Sequence, residues 1–80
     1  MNRPTIKHPT EGGEKLRKFL AIHDQTQRAF AEQMGFHVSD VNRWIRGSAV
    51  PSGDVIAVLH NECRIHPKAW KIALKKEASR

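Results

Sequence analysis

The chain has 80 residues and a mass of 9.1 kDa, with 14 Lys and Arg against 8 Asp and Glu, a net charge of +6 and a pI near 10.1. A globule of that length buries only about 60–65% of its unfolded surface, which leaves little room for an internal cavity lined by several catalytic groups; its apolar stretches are short and broken by charge, so neither a membrane-spanning helix nor a secretory leader is expected. A lone Cys63 cannot close an internal disulfide and fits a reducing, cytoplasmic setting, while the excess of positive charge on so small a surface attracts polyanions.

Residues 1–12 carry Pro4, Pro9 and Gly12 with few apolar groups, and read as a flexible basic arm whose cations are Arg3, Lys7 and His8. Leu16, Phe19, Leu20 and His23 then recur at helical spacing, which predicts a first helix over 13–23 with Gly12-Gly13 at its start. Thr26 is a good N-cap, because its hydroxyl can accept from an amide one turn ahead. It opens a second helix over 27–34, carrying Phe30, Ala31 and Met34, and Gly35 ends that helix in the left-handed conformation glycine tolerates. Phe36 and His37 lead into a third helix over 38–45, with Val41, Trp44 and Ile45 as its apolar side and Gly47 as its stop. Ser52 is placed to cap a fourth helix over 53–62, striped by Val55, Ile56, Val58 and Leu59. Pro67 suits the first turn of a fifth, over 67–77, with Trp70, Ala73 and Leu74 as its apolar residues. No segment alternates with period two. The expected fold is therefore all-α, a small five-helix bundle occupying 13–77.

The third and second helices carry the functional signal. Two helices crossing steeply through a short turn need a small residue where their backbones approach and a glycine in the turn. Ala31 and Gly35 meet those needs, and Phe30, Met34, Phe36, Val41 and Trp44 supply the apolar clamp. The run Thr26-Gln27-Arg28-Ala29-Phe30-Ala31-Glu32-Gln33-Met34-Gly35, then Val41-Asn42-Arg43-Trp44-Ile45-Arg46-Gly47 and Pro51, resembles the lambda-repressor-like helix-turn-helix family of phage Cro proteins, phage repressors, bacterial regulators and antitoxins. The resemblance covers about residues 14–60. His37 departs from it: the family usually has Ser or Thr there, and an imidazole caps a helix less well, which leaves the start of the third helix free to shift by a residue.

The resemblance implies that the third helix enters the major groove with Val38, Ser39, Asn42 and Arg43 toward the bases. Arg43 suits guanine O6 and N7, Asn42 suits adenine, Val38 a thymine methyl, and Ser39 almost any base edge. Asp40 has three readings: it accepts from cytosine, pairs with Arg43 one turn on, or offsets the helix dipole. Gln27, with Thr26 and Arg28 beside it, matches the family's phosphate-contacting glutamine, and Arg46 and Ser48 match contacts to the backbone on the other side.

Other chemistry finds less support. His60, Cys63 and His66 are spaced by three, but a structural zinc takes four protein ligands, and Pro67 starts a new helix just there; no metal or cofactor is expected, and Cys63 reads as a small core residue. No paired carboxylates, no nucleophile with an evident base and no phosphate loop are present, so enzyme activity is not expected. Lys68, Lys71, Lys75 and Lys76 around Trp70 and Leu74 form a basic amphipathic pattern, read as docking on the core or on a second subunit in preference to a membrane, with the surface around Trp70 as the candidate dimer contact. The expected function is that of a sequence-specific regulator binding double-stranded DNA, of Cro or repressor type, acting as a homodimer on a palindromic operator. The alternatives are an antitoxin that also binds a protein toxin, and a protein-interaction module on the same fold.

Overall fold

Four α-helices and a closing 3-10 turn make up the described part of the chain, residues 10–71 of the computed structural model. They are α1 (Glu11–Ile22), α2 (Gln27–Met34), α3 (Val38–Arg46), α4 (Gly53–Cys63) and the turn Pro67–Lys71, with no strand among the described residues.

The first helix begins two residues before the expected position. Thr10 is extended and its Oγ1 accepts from the Gly13 amide at 2.9 Å, while Glu11 and Glu14 sit favourably in the first turn near the positive end of the helix dipole. Gly12 and Gly13 are thus inside α1, and both are buried. Their role is close approach. A methyl at Gly12 would fall inside the Trp70 indole, and one at Gly13 would fall onto the Trp44 carbonyl oxygen and within 3.1 Å of that of Ile45. The arm expected over 1–12 is shortened accordingly at its inner end, and residues 1–9 lie outside the described residues.

Helices α2 and α3 lie where the sequence puts them, and their ends share one geometry. Gly35 (φ 80°) and Gly47 (φ 86°) are left-handed. In each case the next amide reaches back to the carbonyl five residues earlier: Phe36 to Ala31 at 2.8 Å, and Ser48 to Arg43 at 3.0 Å. The helix α3 starts at Val38 although His37 makes no side-chain capping bond, because the His37 carbonyl already accepts from the Asp40 and Val41 amides at 3.0 and 3.1 Å. Ser52 likewise stands at the N-cap of α4 without a capping bond from its hydroxyl, contrary to expectation. The α4 helix ends on Arg64, left-handed at φ 60° without being a glycine.

Only a 3-10 turn, Pro67–Lys71, occupies the described part of the expected fifth helix; Ala73, Leu74 and the rest of 72–77 lie outside the described residues. The Ala69 amide bonds the His66 carbonyl at 2.9 Å and the Lys68 amide bonds His66 Nδ1 at 3.1 Å, so His66 caps the turn with both main chain and ring. Of the two dockings expected for the Trp70 side, on the core or on a second subunit, the indole itself takes the first: it is 1% exposed and belongs to the core. Its face covers Gly12, which is what the missing Cβ permits.

The core joins Leu16 and Leu20 of α1, Phe30 and Ala31 of α2, Val41 and Trp44 of α3, and Leu59 and Cys63 of α4 with Ile65, Ala69 and Trp70. A file of rings threads it: Phe19 to Phe30 at 6.2 Å, Phe30 to Phe36 at 6.2 Å and Phe36 to Trp44 edge-on at 5.3 Å. Each such pair adds about 0.5–1.5 kcal/mol beyond burial. The file ties α1, α2, the three-residue link and α3 together, and so sets how the outward side of α3 is presented. Within the predicted stripe of α4, Leu59 is fully buried, Val55 and Ile56 are half-buried and Val58 is exposed.

Candidate nucleic-acid interface

The start of α2 is built by Thr26. Its Oγ1 accepts from the Ala29 amide and its carbonyl from the Phe30 amide, both at 3.0 Å, which leaves the amides of Gln27 and Arg28 without an acceptor among the described residues. No acidic residue lies in the first turn of α2, whereas the first turns of α1, α3 and α4 each contain at least one. The partial positive charge at this end is therefore not offset by the chain, and exposed Arg28 adds to it. The Thr26 hydroxyl is occupied as a cap, so of Thr26 it is the cap, and through it the free amides behind, that serves the site.

Along α3, Val41 and Trp44 face the core, the opposite side carries exposed Ser39, Arg43 and Arg46, and partly exposed Val38 and half-buried Asn42 lie on the flank between them. Arg43 Nη1 meets Asp40 Oδ1 at 3.1 Å, the two side chains being 57% and 42% exposed. Asp40 is at once the acidic group of the first turn and the partner of Arg43, so two of its three readings coexist. Ser48 lies at the far end, its Oγ 3.5 Å from the Arg43 carbonyl that its own amide also bonds.

The two helices are joined by polar side chains as well as by rings. Asn42 Nδ2 donates to Gln27 Oε1 at 3.2 Å, and Arg46 Nη1 donates to Asn42 Oδ1 at 3.0 Å. Gln27, Asn42 and Arg46 thus form one connected chain, Arg43 stands apart from it with Asp40, and Thr26 and Arg28 lie at the α2 end. The Asn42–Arg46 contact has a legible i, i+4 spacing. The Gln27–Asn42 contact has none, since fifteen residues separate them and only the crossing of α2 and α3 brings them together.

The His60, Cys63, His66 trio is arranged for other work. The two imidazole centroids lie 5.6 Å apart, His66 Nδ1 is taken by the Lys68 amide, and no group of three ligating side chains converges among the described residues. Cys63 is buried, and burial, helped by the Glu62 carboxylate, pushes its thiol up to about 11, so at neutral pH it is a protonated core group. No helix among the described residues is long and apolar enough to cross a membrane. Compared with known protein families, characterised proteins and solved structures, the chain matches none.

Proposed function

We propose that this protein is a sequence-specific DNA-binding transcriptional regulator of the lambda-repressor-like kind, with α2 and α3 as its helix-turn-helix. The observation that carries the reading is the joint architecture of that pair: a glycine-terminated α2 whose N-terminal charge is uncompensated, held by rings and side-chain amides beside an α3 whose outward side is polar and cationic. The two features match the two demands of duplex recognition. Phosphates are gripped by free amides and cations, and base edges are met by side chains of a helix inserted in the major groove. In this reading Gln27, Arg28 and Arg46 hold the backbone, with Thr26 and Ser48 shaping the two ends, and Val38, Ser39 and Arg43 form the base-facing set beside Asn42, whose amide is engaged by Gln27 and Arg46. The net charge of +6 supplies long-range attraction to the duplex.

Selection from random duplexes, followed by titration at several salt concentrations, tests this reading. The expected result is an enriched palindromic sequence whose affinity falls steeply with salt, the slope being about 0.9 per phosphate neutralised. A failure to enrich any sequence at any salt would sink the proposal.

A further inference from the structure

Three polar side chains run from the start of α2 to the last turn of α3. Arg46 Nη1 donates to Asn42 Oδ1 at 3.0 Å and Asn42 Nδ2 donates to Gln27 Oε1 at 3.2 Å, with Gln27 and Asn42 half-buried and Arg46 exposed. The direction of this chain is dictated by chemistry. A guanidinium has donors only, so the end of the Asn42 amide that meets it must be the oxygen. The Asn42 NH2 group is thereby turned to Gln27, which must answer with its own oxygen. What remains free on Gln27 is its NH2 group, and a phosphate presents acceptors only.

We infer that Asn42 is a positioning residue and not a base reader: through it, Arg46 sets the polarity of the Gln27 amide, so that Gln27 offers donors to a nucleic-acid phosphate. The inference rests on the DNA-binding reading above. A bidentate contact to adenine needs both ends of an asparagine amide on the base edge, and here the two ends are held by two different protein side chains. Without the relay, the two ends of the Gln27 amide are nearly alike in shape and either can turn outward. With the oxygen outward, it repels the phosphate it is meant to hold.

Asn42→Asp separates the two roles. The isosteric carboxylate keeps an acceptor for Arg46 but replaces the donor to Gln27 with a second acceptor, which turns the Gln27 NH2 group inward. Duplexes are selected with the native and the Asn42→Asp chains, and the effect of Gln27→Ala on affinity for the native consensus is measured in each background. The added negative charge weakens both members of its pair alike, so the ratio within a background is what is read. The expected outcome is one shared consensus, with Gln27→Ala weakening the native chain about tenfold and the Asn42→Asp chain less than about twofold. A consensus that changes from adenine to cytosine at one position, as a base-reading carboxylate demands, overturns the inference and leaves the DNA-binding reading standing. Equal effects of Gln27→Ala in the two backgrounds do the same. If the native chain selects no duplex, the DNA-binding reading falls and takes the inference with it. Where circular dichroism shows that Asn42→Asp does not fold, Asn42→Ala takes its place in the cycle; an undiminished Gln27→Ala effect there overturns the inference, and a diminished one supports it.

Discussion

Arg43 is the side chain on which base preference is expected to turn, and its surroundings define what it contributes. Its ion pair with Asp40 is half in water, where such pairs contribute about 0–1 kcal/mol to stability. The value of the pair is directional: a long flexible side chain is held by a partner one turn back in the same helix. Asp40→Ala is therefore expected to leave the urea midpoint almost unchanged, while the preference for the base pair under Arg43 relaxes in duplex titrations. Arg43→Ala is expected to lose about 1–3 kcal/mol of discrimination at that one position and little elsewhere. If Arg43→Ala weakened all duplexes equally, Arg43 would be a phosphate contact instead. The i, i+3 spacing made this pair legible from residue types alone, because both partners ride on one helix.

Among the helices, glycine does three different jobs, and one substitution at each separates them. In α1, Gly13 lets the backbone close on the carbonyls of Trp44 and Ile45. A methyl there meets backbone that cannot swing aside, so Gly13→Ala is expected to cost about 1–3 kcal/mol, outweighing a helix-propensity gain of about 1 kcal/mol. Gly35 ends α2 at φ 80° with nothing within 4 Å of a Cβ, so Gly35→Ala is expected to cost about 1–2 kcal/mol through backbone strain alone. Gly53 opens α4 with nothing within 4 Å, and Gly53→Ala is expected to stabilise by about 0.4–1 kcal/mol. Urea denaturation of the three variants checks the order, and a stabilising Gly13→Ala would mean that α1 does not pack on α3 this closely. The turn glycine Gly35 was readable in sequence because a helix stop needs φ above zero. The pair Gly12-Gly13 was misplaced because a close approach leaves no local signature, and the stop at Arg64 was unreadable because no glycine marks it.

Across the whole molecule, one copy of α3 reads only a few base pairs, too little to define a site in a genome. The proposed function therefore carries a second copy on a two-fold axis, with half-sites about one helical turn apart. Sedimentation of the protein with its selected duplex is expected to give two chains per site, and inserting about half a helical turn between the half-sites is expected to abolish the paired complex. A single chain per duplex, indifferent to the insertion, would remove the dimer from the proposal. The burial of Trp70 against α1 takes the indole itself out of any contact between two copies, because it holds the chain's own core together.

What residue order determined here is local: a helical fold without strands over the described residues, the bounds of α2 and the start of α3, the Thr26 cap, the glycine stops, the apolar stripes and the Asp40–Arg43 pair. Each depends on a 3.6-residue period or on the chemistry of neighbours within one turn, and both are written in the sequence. Tertiary structure decided what depends on separate elements meeting. It placed Gly12 and Gly13 beneath Trp70 and the end of α3, chose the chain's own core over a second subunit as the seat of the Trp70 indole, and made Gln27, Asn42 and Arg46 one polarised chain. Those outcomes follow from packing geometry between residues far apart in sequence, which no spacing rule along the chain encodes.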